Sequence, residues 1–140
     1  MRRFDILGSL LLALGVALLV SAPAVAKSID WSELAKHPDR YVGQTVEVAG
    51  AYCASGGVNG DAEGYQCSTA GALYIEASDV GPSSAKQKVA EDCGGMDVIE
   101  RSSFCRATIS FVPQSFTTST ELEPGKTVTV IETDAAELKF

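Results

Sequence analysis

Between Gly43 and Cys53 apolar and polar residues alternate more cleanly than anywhere else in the chain. Val46, Val48 and Tyr52 fall on one face with Gly50 at the same parity, and Thr45, Glu47 and Ala49 fall on the other, which is the period of a half-buried strand. A glycine inside a strand weakens it unless a bend or bulge uses the missing Cβ, so Gly50 predicts the corner of a strongly coiled first strand. Upstream, Asp30-Trp31-Ser32-Glu33 has the form of a capping box, with Asp30 placed to accept from first-turn amides and Glu33 three residues on. A short helix over Trp31–Lys36 follows and is stopped by Pro38, because the residue before a proline is pushed out of the α region. Trp31 and Leu34 share one face of that helix, which would cap one end of a barrel.

Downstream, Tyr65 to Thr69 and Ala72 to Ala77 read as two short strands separated by Ala70-Gly71, with Leu73 and Ile75 facing the core and Tyr74 and Glu76 facing outward. Asp79-Val80-Gly81-Pro82 breaks the sheet. Ser83 or Ser84 then caps a helix running to Asp92, with Val89 and Cys93 four apart on one face and Gly94-Gly95 supplying a left-handed stop. Period 2 resumes from Ser103 to Pro113, placing Ala107, Ile109 and Phe111 opposite Arg106, Thr108 and Ser110. Gln114 to Thr120 is polar around Phe116, and Pro124-Gly125 marks a turn before a fifth strand over Lys126 to Glu132. The tail from Thr133 to Phe140 either extends that strand or frays.

Three strands, a helix and two more strands, with a glycine-bent first strand, is the element order of an OB-fold. The predicted class is all-β with one inserted helix, a five-stranded OB-fold-like barrel preceded by a short N-terminal helix. An α+β sandwich is the alternative.

Composition changes the picture at the N-terminus. Arg2 and Arg3 precede an almost unbroken apolar run from Ile6 to Val20, and Ala24-Val25-Ala26 fits a signal-peptidase site. The expectation is a signal peptide over residues 1–26 and a single domain over residues 27–140. The apolar run is shorter than the ~20 residues a spanning helix needs, which argues against stable membrane insertion after cleavage. Of 11 basic and 18 acidic side chains, the leader holds Arg2, Arg3 and Asp5, so the remainder carries 9 against 17, a formal charge of −8. An acidic domain repels phosphate backbones, and nucleic acid is not the expected partner.

The cysteines Cys53, Cys67, Cys93 and Cys105 all follow the leader. In an exported chain an even set reads as two disulfides, of which the sequential pairing, Cys53 with Cys67 and Cys93 with Cys105, closes two short segments between adjacent elements. Each closure would stabilise by about 3 kcal/mol in the chain-entropy account. Zinc fits poorly, since no C-x-x-C spacing occurs and the single histidine, His37, is far away in sequence. The expected compartment is the periplasm or the exterior.

Two stretches invite a catalytic or metal reading. His37, Asp39 and Arg40 cluster at the end of the first helix, but a histidine beside a proline in a turn, with no nucleophile near it in sequence, reads as a solvated residue. In the loop Ala54 to Gly64, Asn59-x-Asp61-x-Glu63-Gly64 echoes the start of a calcium loop, yet the twelfth position is Ala70 where a bidentate Glu is needed. That loop reads as a soluble hairpin tip pinned at its base by Cys53 and Cys67. No cofactor is expected.

The series Pro38-x-x-Tyr41-x-Gly43-Gln44-x-Val46-x-Val48-x-Gly50 resembles the opening of bacterial exported OB-fold domains of the tRNA-anticodon-binding-like kind. The likeness extends in order and spacing over most of the chain after the leader. It implies a barrel and a binding habit, and it carries over no catalytic residue. The expected function is therefore a small non-catalytic module for a protein, peptide or glycan ligand, bound across the second and third strands, where Tyr65 and Tyr74 are the available aromatics. The alternatives are an enzyme using His37 and Asp39 or the loop acids Asp61 and Glu63, and a purely structural envelope protein.

Overall fold

Gly50 sits at φ +72° in the middle of a ten-residue strand, and the pairing of that strand slips between Val48 and Ala51. This bulge lets one strand wrap a barrel and pair with both of its barrel neighbours. The structure is a computed structural model describing residues 25–56, 63–69, 72–94 and 103–140. The predicted leader up to residue 24, Asn59, Asp61, the Ala70-Gly71 turn and Gly95 lie outside the described residues.

In chain order the elements are β1 (Lys27–Ser28), α1 (Trp31–Lys36), β2 (Val46–Ser55), β3 (Tyr65–Thr69), β4 (Leu73–Gly81), α2 (Ser83–Asp92), β5 (Arg106–Phe111), β6 (Ser115–Ser119) and β7 (Val128–Lys139). Single 3-10 turns occupy Pro38–Arg40 and Ser103–Cys105. The barrel runs β2-β3-β4-β7-β5 and closes by antiparallel pairing of β5 back onto β2. Its one parallel pair is β4 with β7. This is the OB-like order expected from the sequence: five barrel strands, with α2 between the third and the fourth. The two additional strands are β1, parallel to β2, and β6, antiparallel to β7.

The bulge corrects one face assignment. Val46 and Val48 are buried, but beyond Gly50 the buried row steps to Ala51 and Cys53, and Tyr52 leaves it. The extra residue shifts the side-chain period by one, so even positions that faced inward before the bulge face outward after it. Tyr52 instead lies beside the Arg106 guanidinium, 5.9 Å from the ring centre.

Inside the barrel Leu73, Ile75, Ile109 and Ile131 are fully buried together with Val46 and Val48. The two helices plug opposite ends. At the end where β4 and β7 begin, α1 inserts Leu34, and its Ala35 carbonyl accepts from the Thr129 hydroxyl at 2.7 Å. At the other end α2 buries Ala85 and Val89. Burying one valine stabilises by about 1.5–3 kcal/mol, which is little for a ten-residue helix, and the Cys93–Cys105 disulfide fastens its C-terminus to the turn before β5. Cys53 and Cys67 face each other across β2 and β3 and are joined, so both disulfides take the sequential pairing.

Three element expectations differ from the structure. β4 runs on through Asp79 and Val80 to Gly81, because β7 pairs with it along that whole length and overrides the local break signal. Pro82 rather than a serine occupies the N-cap of α2, and the helix ends on Cys93 at φ −125° rather than on a left-handed Gly94. The polar segment after Pro113 is a strand, β6, whose register on β7 continues that of β5.

Candidate functional site

Cross-strand register assembles the outward surface row by row. Ala54, Gln66, Glu76, Glu132 and Ser115 are successive partners across β2, β3, β4, β7 and β6. The next row is Tyr52, Ser68, Tyr74, Val130 and Thr117. Directly opposed residues project from the same face. Glu76 and Glu132 share that face with Tyr74, opposite to the buried Ile75 and Ile131.

On this face lies a cleft of about 360 Å³ lined by Glu63, Gly64, Tyr65, Glu76, Ala77, Ser78, Gln114, Glu132, Thr133 and Asp134. A second depression of about 230 Å³ shares Glu76 and Glu132 with it and continues past Thr117 and Ser119 to Glu121 and Leu122. Together they form one groove along β4, β7 and β6. Its floor is set by local hydrogen bonds: Ser115 Oγ donates to Glu132 Oε2 at 2.7 Å, and Gln114 Nε2 donates to Asp134 Oδ2 at 2.6 Å. The Thr133 hydroxyl donates to the Val112 carbonyl, holding the chain where β5 gives way to β6.

Among the described residues no Lys or Arg lines the groove. Two ion pairs, Arg40 with Glu33 and Lys86 with Asp79, lie outside the groove. Carboxylates concentrated in a concave surface focus negative potential there and raise the local concentration of cations. No group of three or more His, Cys, Asp or Glu among the described residues is arranged to hold a metal ion.

The structure disperses the residues that the sequence singles out. Tyr65 borders the larger cleft but lies on the core-facing side of β3, half-buried against the barrel core, and the exposed Glu63 borders the cleft beside it. Tyr74 faces outward as expected but is only 5% exposed, packed with Val128 and Val130 against Leu122, and its hydroxyl donates to Glu123 Oε1 at 2.9 Å. Its ring is thus spent on a small second core. His37 is the C-cap of α1 and Asp39 lies exposed in the following turn, and neither lines the groove. Sequence reasoning missed Glu132, Asp134 and Gln114, because Glu132 closes the predicted fifth strand, Asp134 lies in the segment read as tail, and Gln114 opens a polar stretch to which no element is assigned. It also missed Gln66, 1% exposed, whose amide oxygen and nitrogen have no hydrogen-bond partner although it stands opposite Glu76. A fully buried amide without partners is uncommon in folded proteins.

No protein-family model, curated protein or solved structure matches this chain. The strand order of the barrel supports an OB-like fold and no narrower relationship.

Proposed function

We propose that this chain is an exported, non-catalytic binding module, working in the periplasm or outside the cell, whose ligand site is the acidic groove. The observation that carries the reading is a groove on the outward face of β4 and β7, extending to the start of β3 and bordered there by Tyr65, that combines Glu63, Glu76, Glu132 and Asp134 with no cationic side chain among the described residues. OB-like barrels bind over the second and third barrel strands, which here are β3 and β4. Carboxylates and hydroxyls in that arrangement suit a protein, peptide or glycan that presents ammonium, guanidinium or hydroxyl donors. Two disulfides and a closed barrel hold the surface in place before ligand arrives, which lowers the ordering cost of binding. The candidate catalytic residues are dispersed: His37 and Asp39 sit at the end of α1, away from Glu63.

Amide-resolved NMR titration tests the proposal. Oligolysine peptides, chitosan fragments and neutral oligosaccharides are added in turn. At least one should shift the resonances of Tyr65, Glu76, Glu132 and Asp134 saturably, and Glu132→Gln with Asp134→Asn should weaken that response. Absence of saturable shifts with all three probes at millimolar concentration would remove the groove as a ligand site.

A further inference from the structure

The strand β6 runs Ser115-Phe116-Thr117-Thr118-Ser119 and pairs with β7 along one side. Among the described residues no strand pairs with its other side. Natural sheets blunt such edges with Pro, Lys, inward charges or bulges, because a row of unpaired backbone donors and acceptors recruits another chain. β6 has none of these: its five residues are uncharged, two are β-branched, and four are exposed, Phe116 among them at 40%. The strand is also held firmly, since it extends the β5–β7 ladder in the same register.

We propose that β6 is a docking edge for an extended basic segment of another protein, which adds to the sheet as a further strand. The inference rests on the acidic groove being the ligand surface and specifies the ligand that surface takes. Charge settles the occupant. Ser115, Thr117 and Ser119 share the outward face with Glu132, Val130 and Val128, and the groove along that face carries Glu121 and Glu132. A strand added beyond β6 places alternate side chains on this face. β7 lies two strand spacings from it, about 10 Å, so Glu132 is met only by long side chains such as those of Lys or Arg. The intervening side chains fall on the opposite face, with Phe116 and Thr118. The recognised segment therefore alternates Lys or Arg with apolar residues. A second copy of this chain, carrying the same carboxylates on the same edge, would set like charges against each other.

Calorimetry with three synthetic peptides tests the proposal on the intact protein. An acetylated, amidated Lys-Val repeat of seven residues should bind saturably. The same peptide with every backbone nitrogen methylated keeps its charge but loses the donors of both its edges, and should bind at least about tenfold more weakly, as removal of one or two hydrogen bonds allows. A Glu-Val repeat should not bind. Glu121→Gln with Glu132→Gln should weaken the Lys-Val peptide to a similar extent, and hydrogen exchange of the amides in 115–119 should slow when that peptide is bound. Equal affinity for the methylated and unmethylated peptides overturns the docking edge while leaving the groove as a cation site, whereas no binding of either removes both. Concentration-dependent dimerisation that protects the amides of β6 would assign the edge to a second copy and overturn the proposal.

Discussion

At Gly50 a side chain would meet two obstacles of different stiffness. Its Cβ would stand 2.9 Å from Arg106 Nη2, which is the mobile end of a long side chain and can move away. The backbone cannot relax as easily, because φ +72° places an L-residue in the left-handed region at a cost of about 1–2 kcal/mol. Gly50→Ala should therefore lower the urea-unfolding free energy by about that amount, and Arg106→Ala in the same chain should not restore it. An unchanged midpoint would mean that the bulge is dispensable. The bend was legible because a glycine inside an alternating run costs the strand stability unless the backbone turns there. The parity switch it causes was not, since a bulge is defined only against a partner strand. At Asp30 the Ser32 side chain and then the Ser32 amide hydrogen-bond the carboxylate, holding its pKa below the ordinary 3.8. A depressed carboxylate stabilises the fold above its unfolded pKa and loses that contribution as pH falls through the folded value. Asp30→Asn should thus differ from the parent in stability at neutral pH and converge with it below pH 3.8; a gap independent of pH would show that the cap acts without its charge.

Among the elements, those whose burial is local were read with their true limits. α1 and β3 keep the predicted bounds, because a capped, proline-stopped helix and a short strand between glycine turns carry their signals in their own residues. β6 and the second half of β7 carry none. Ser115–Ser119 exposes nearly all its side chains and is a strand because β7 offers it a ladder, a cause that lies in another segment. The acids of the groove follow the same rule: Glu132 and Asp134 became interpretable only when β7 was seen to run beside β4. The disulfides act at this scale too. Cys53→Ser with Cys67→Ser should lower stability by about 2–5 kcal/mol, the usual cost in a small domain, and the same should hold for Cys93→Ser with Cys105→Ser. Differential thiol labelling of the denatured, unreduced parent should find no free cysteine; label on any of the four would contradict the link to which it belongs.

For the whole molecule, charge and topology make separate predictions. A chain with a formal charge of −8 over residues 27–140, and a groove lined by acids, should not bind nucleic acid at physiological salt, despite the barrel class it shares with many nucleic-acid binders. Fluorescence anisotropy with a mixed-sequence single-stranded oligonucleotide at about 0.15 M salt decides this, and saturable binding tighter than about 10⁻⁶ M would show local charge arrangement prevailing over net charge.

The strand β7 alone contacts β4, β5 and β6, and the pair it makes with β4 joins segments separated by α2 and two strands. Time enters here. A chain emerging from its N-terminus has β2, β3 and β4 in hand early, yet it holds an open, strongly twisted sheet with a bare edge until β7 follows. Contacts this distant in sequence must meet the cost of loop closure before they repay it, so barrel closure should be a late step in folding rather than an early one. A chain lacking residues 128–140 should show no cooperative urea transition by circular dichroism, however complete its first three barrel strands. In that window before closure, the apolar faces of β2 and β4 and the free cysteines are open together, and the interval is when a folding helper or a thiol oxidant would have to act.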